Sequence, residues 1–189
     1  HLVSAPVFGL FGHVDLFGGF VSAGPIAATV FLFTLVLSGF FDDSNELRLV
    51  RRNGDVVARW PVRFYSIFPS PSYLPEGSVP ATDWNIDTHG ALALPDGSVV
   101  FNFEFGGLVK LDRCGGVVWT LPHRTHHSVE RAEGGGFWVP GRRLVQELSP
   151  FPPFESPLNE DLILRVSDEG KILAQYSVPK LLYDNALEA

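Results

Sequence analysis

One pattern occurs three times in the chain: LRLVRRNGDVVARW from Leu47, LVKLDRCGGVVWTL from Leu108 and ILRVSDEGKILAQY from Ile163. Aligned on Gly54, Gly115 and Gly170, which are 61 and 55 residues apart, the copies place Val50, Leu111 and Val166 four before the glycine and Val56, Val117 and Ile172 two after it. Apolar residues alternating on both sides of a short glycine turn describe two antiparallel strands with one buried face. A second pattern lies between these hairpins. THGALALPDGSVVF from Thr88 matches HHSVERAEGGGFWV from His126, and His89 and His127 each stand eight residues before a turn glycine, Gly97 or Gly135. Together the two patterns give a unit of four strands, predicted in its first complete copy over residues 89–94, 98–105, 108–112 and 117–121. Four antiparallel strands recurring about every 40 to 60 residues are the pattern of β-propeller blades, each burying its faces against its neighbours. A β-sandwich of similar strand count is the competing architecture. The expected fold is therefore all-β, a partial propeller of about two and a half blades over residues 45–189. Because the sequence opens on His1 and stops at Ala189 without a closing motif, it reads as a fragment whose remaining blades lie elsewhere.

Composition narrows the possibilities further. With 46% apolar and 19% charged residues among 189, the chain can bury a core, and its formal charge of −7 argues against a nucleic-acid partner. Its one cysteine, Cys114, excludes a disulfide framework and a cysteine-rich zinc site. The charge is uneven: residues 1–41 hold one acid, Asp15, and neither Lys nor Arg. Residues 16–41 form a run of 26 without a formal charge, long enough to cross a hydrocarbon core of about 30 Å as a helix. Residues 1–41 are thus expected to be a hydrophobic membrane-anchor region, with a transmembrane helix over about residues 26–41 that stays out of the β domain. A buried hairpin of a soluble core is the alternative for this run, and a cleaved signal peptide a further one. Asp42 and Asp43 follow at once and no basic cluster flanks the helix, which places the β domain on the extracytoplasmic side.

Residues 68–75 and 149–154 are Pro-aromatic segments expected to run as extended loops over a blade edge, since proline lacks the donor a central strand needs. The chemistry then falls to the histidines. In a propeller the innermost strand of each blade lines the central channel, so His89 and His127, equivalent by repeat, are expected to approach one another there, with His126 alongside. Arg124, Arg142 and Arg143 are near in sequence. They suit an anionic substrate, and their charge disfavours imidazolium and leaves a neutral, nucleophilic ring. A metal site built from His123, His126, His127 and His89 is set aside, because no Asp or Glu accompanies them at ligand spacing.

The blade openings THG and THH, the LPDGSVVF continuation, the segment LDRCGGVVWTLPHRTHHSV and the single anchor together resemble the arylsulfotransferase family of extracytoplasmic bacterial β-propellers, over about residues 45–189. The resemblance implies a six-bladed propeller that moves a sulfuryl group from a phenolic sulfate ester to another phenol through a sulfohistidine. It implies no nucleotide donor, no metal and no other cofactor. The family's blade-opening histidine corresponds to His127, with His126 beside it and His89 as the counterpart in the preceding blade, so His127, His89 and His126 are the expected catalytic residues. Arg142, Arg143 and Arg124 are the expected substrate-binding residues. Two positions depart from the family pattern: Ser128 stands where an acid usually follows the paired histidines, and Gly90 follows His89. Expected partners are an aryl sulfate, a phenol acceptor and the membrane. A non-catalytic propeller that binds a peptide, glycan or protein outside the membrane is the rival reading.

Overall fold

The computed structural model of the chain describes residues 34–147, 151 and 155–187. Eleven strands fall into three antiparallel meander sheets among these residues. The first sheet runs β1 (Thr34–Phe41), β2 (Ser44–Arg51) and β3 (Val56–Pro61). The second runs β4 (Thr88–Ala93), β5 (Val99–Phe103), β6 (Gly107–Leu111) and β7 (Val117–Leu121). The third runs β8 (Glu130–Arg131), β9 (Phe137–Val145), β10 (Leu158–Val166) and β11 (Ile172–Ser177). One helical turn, α1 (Phe64–Ile67), follows the first sheet, and α2 (Val178–Asp184) follows the third, capped by the Ser177 hydroxyl, which accepts from the Lys180 amide at 3.1 Å.

The repeat read from the sequence is a repeat of one turn geometry. At Gly54, Gly97, Gly115, Gly135 and Gly170 the glycine amide donates to the carbonyl three residues earlier, at 2.9 to 3.2 Å. All five glycines have φ between 79° and 97°. This is a three-residue hairpin loop closed by a left-handed residue, a conformation glycine adopts without the Cβ penalty. The register slips by one residue directly beside the turn at Val50, Leu111 and Val166, as such a bulge requires.

Strand alternation then stacks the sheets. In β5 every residue is buried: Val99, Phe101 and Phe103 face a core shared with Val36, Leu47 and Trp60 of the first sheet, while Val100 faces Phe137, Val139 and Leu164 of the third. The middle sheet is therefore apolar on both faces, which is why VVFNF reads as a continuous run rather than an alternating one. Two tryptophans fasten neighbouring sheets. Trp60 donates to the Arg113 carbonyl at 3.2 Å and Trp119 to the Asp168 carbonyl at 2.8 Å, each reaching the same position, two before the turn glycine, in the next sheet.

The expected membrane helix over residues 26–41 is corrected by β1. Residues 34–41 are a strand paired residue for residue with β2, from Thr34 against Arg51 to Phe41 against Ser44, and Val36 is buried in the first core. Asp42 and Asp43, read as charges flanking a helix, are the two central residues of the β1–β2 hairpin, with φ of 45° and 71°. A two-residue turn with both centres left-handed suits the right-handed twist of the strands and is favoured by Asp. The uncharged run hid this because an apolar strand and an apolar helix look alike without a polar face. Residues 26–33 lie outside the described residues, and no helix among the described residues is long and apolar enough to cross a membrane. The Pro-aromatic segment 68–75 is a loop but not an extended one over an edge: it turns, with the Leu74 amide donating to the Pro71 carbonyl at 3.0 Å, and buries Phe68 and Leu74 in the first core, where Phe68 stacks edge-on against Phe103 at 6.3 Å and the Tyr73 hydroxyl donates to the Gly106 carbonyl. Of residues 149–154 only Phe151 is described, 5.8 Å from Tyr183.

Candidate functional site

His89 is the second residue of β4, opposite Asn102 in the β4–β5 register. The ladder is interrupted between His89 and Leu92, where Gly90 takes φ 55°. His127 lies between β7 and β8 with φ 54°, a left-handed conformation uncommon outside glycine. Two contacts hold it there. The fully buried Asn102 donates from Nδ2 to the His127 carbonyl at 3.2 Å, and the same carbonyl rests so closely on Gly90 that a Cβ at residue 90 would come within 1.8 Å of it. The outcome is a pair of nearly parallel rings, His89 and His127, with centroids 5.7 Å apart and planes at 18°. His126 stands edge-on to His127 at 4.6 Å and is buried.

Glu104, which sequence reasoning passed over, completes the cluster. It follows β5, its amide donates to the Asp87 carbonyl at 2.9 Å, and its Oε2 lies 3.2 Å from His89 Nε2. One donor atom from each of His89, Glu104 and His127 lies within 4.8 Å of the others. The segment Phe101-Asn102-Phe103-Glu104-Phe105 carried the pattern that identifies it: alternation puts Asn102 and Glu104 on one side of the strand, the side of His89. His89 and His127 line a cavity of about 810 Å³ whose wall includes Val36, Phe41, Ala91 and Pro140. The segment read as membrane helix thus supplies part of that wall. Glu104, Phe105 and Arg124 line a second cavity of about 570 Å³, and Asp87 borders both.

Two of the three arginines, Arg142 and Arg124, gather around Phe105. Arg142 lies over the Phe105 ring at 4.4 Å and Arg124 at 5.9 Å, and the ring is 4.7 Å from His126. The β9–β10 register places Arg142 opposite Asp161 and Arg143 opposite Glu160. Arg142 donates from Nε to Asp161 at 2.8 Å, and Arg143 donates to the nearly buried carboxylate of Glu160. Arg124 donates to the Asn159 side chain at 3.2 Å and lines the second cavity.

Burial, followed by the charges of His127 and Arg142, pushes the His126 pKa down to about 4, while Asp161, 3.9 Å away, opposes the shift. Burial and then Arg124 also lower His123. A histidine whose folded pKa lies below its ordinary value stabilises the fold fully above that ordinary value, and the contribution is lost as pH falls toward the folded pKa. Stability is therefore expected to fall by about 2 kcal/mol between pH 8 and pH 5 on account of His126 alone. Urea denaturation at the two pH values checks this, and His126→Phe is expected to remove most of the difference. The carboxylates held low by arginines, Asp42, Glu46 and Asp168, act in the more acidic range below their ordinary values.

No protein-family model matches the chain, and no curated protein does. Among solved structures, the chain is similar to the β-propeller domain of Myceliophteria thermophila Cps50 (Swd1), with 10% identity and a TM-score of 0.36. That match covers 78% of this chain and 56% of the other, so the chain spans about half its length.

Proposed function

We propose that the three sheets are blades of a β-propeller that transfers a sulfuryl group between phenols through His127. The observation that supports this most is the stacked pair itself: His89 of β4 and His127 of the loop before β8, each eight residues before a turn glycine, with rings 5.7 Å apart at the wall of a cavity of about 810 Å³. His127 is the exposed member and the better placed to meet a substrate sulfur. His89 faces Glu104 at 3.2 Å, which favours the tautomer with the proton on Nε2 and keeps His89 available for proton transfer. In this reading the His127 lone pair attacks the sulfur in line, the aryl oxygen–sulfur bond breaks, and His89, acting in its imidazolium form, gives a proton to the departing phenolate and is left neutral. The acceptor phenol then returns its proton to His89 as its oxygen takes the sulfuryl group from His127. Phe41 offers the aryl ring an apolar wall, and Arg124 is the cation with access to a neighbouring cavity. Arg142, engaged by Asp161 and lying over Phe105, orders the wall behind His126, and Arg143 is held by Glu160. We place the membrane attachment expected of residues 1–41 in the part that precedes β1, with the sheets on the extracytoplasmic side.

The test is direct. The complete protein, incubated with 4-nitrophenyl sulfate, a phenol acceptor and a chelator but no nucleotide, should release nitrophenolate at a rate that depends on the acceptor. Radiolabelled sulfate from the donor should appear on His127 as an acid-labile adduct. No release with any phenol, together with a recovered peptide or glycan, would favour a non-catalytic binding module.

A further inference from the structure

We infer that His89, Glu104 and His127 form a three-ligand site for a divalent cation of the zinc class. Two imidazoles and a carboxylate suit such a cation, and spacing along the chain gives no hint of it because the ligands stand at positions 89, 104 and 127. The fold brings them together by three separate devices. The β4–β5 register sets Glu104 diagonally beside His89. The left-handed backbone at His127 turns its ring onto that of His89. Asn102 and Gly90 fix the His127 backbone from below.

The distances fit. His89 Nε2 and Glu104 Oε2 are 3.2 Å apart, and one donor atom of each residue lies within 4.8 Å of the other two. A tetrahedral zinc with bonds of about 2.0–2.1 Å separates its ligand atoms by roughly 3.4 Å, so a modest turn of the exposed His127 ring closes the set. The fourth position faces the cavity that His89 and His127 line, which leaves it to water or to an anionic ligand. A cation held there occupies the ring nitrogen lone pair that sulfuryl transfer would use. Metal binding and attack by His127 are then mutually exclusive, a consequence that rests on the proposed transfer reaction. The cation site itself does not depend on that reaction.

Calorimetric titration of the metal-free complete protein with ZnCl2 should show one equivalent bound, and titration with CoCl2 should give the visible absorption of a tetrahedral centre. His89→Ala, Glu104→Gln and His127→Ala should each weaken zinc binding by at least about 10-fold, the lower range of what even outer-sphere partners cost. His123→Gln should leave the affinity unchanged. Glu104→Gln keeps the size of the side chain, so its effect reports ligation and not folding. No zinc uptake, or an affinity unaltered by all three ligand substitutions, would overturn the site. These titrations read binding alone, so a protein that fails to transfer sulfuryl groups still gives a clear result. Where transfer is observed, zinc should abolish it and a chelator restore it.

Discussion

Alanine in place of His127 should lower aryl sulfate turnover by on the order of 10² or more, the loss typical of a group that acts directly on the reacting atoms. The ring is exposed, so its removal opens no core cavity. What alanine does introduce is strain, because residue 127 has φ 54°. His127→Asn separates the two effects, since asparagine tolerates the left-handed region better than alanine. Both variants should lose turnover equally, with the asparagine variant melting near the wild-type temperature. His89→Ala should also impair turnover, and the dependence on phenol pKa should change, because His89 handles the proton while His127 forms the bond. If both His127 variants retained full turnover, the reading of His127 as nucleophile would be lost and the stacked rings would be structural.

Much of the architecture was legible because the information is local. A glycine at the end of a three-residue loop requires its left-handed φ from nearest neighbours alone, and the five turns at Gly54, Gly97, Gly115, Gly135 and Gly170 follow from it. The equivalence of His89 and His127 was legible for the same reason, as both are counted from such a turn. What could not be read locally was pairing. The strand β1 has no turn glycine and no alternation, so only its register against β2 distinguishes it from a helix. Arg142 and Arg143 looked available for an anion until β10 aligned Asp161 and Glu160 against them. Glu104 was invisible as a partner of His89 because ligand spacing along the chain says nothing about residues joined across a β ladder. His126, grouped with the other histidines by sequence, differs from its neighbour His127 through burial, beside Phe105 and against β9, where its amide donates to the Pro140 carbonyl at 3.1 Å.

The residue that links fold to site is Gly90, which the family pattern presented only as a departure after His89. At φ 55° a side chain is already strained, and the nearest atoms to a Cβ would be the carbonyl oxygen of His127 at 1.8 Å, its carbonyl carbon at 2.8 Å and Ser128 Cα at 2.9 Å. All three belong to backbone, so no rotamer change relieves the contact, and the loop bearing His127 must move away from β4. Its departure would also break the bond from Asn102, whose buried amide would lose that acceptor. Gly90→Ala is therefore expected to cost about 3 kcal/mol or more, combining left-handed strain with a displaced backbone. For a chain of this length that corresponds to a melting temperature lower by on the order of 10 °C. Gly54→Ala supplies the comparison: φ there is 94°, but no atom lies within 4 Å of the added Cβ, so only the strain remains, about 1 kcal/mol. Thermal denaturation of the two variants side by side separates strain from collision. The Gly90 variant should also lose the zinc affinity and the turnover assigned to the histidine pair, because the His127 ring would no longer stack on His89, whereas the Gly54 variant should keep both. Equal melting temperatures for the two variants would mean that the close approach of Gly90 to His127 does not hold the site together.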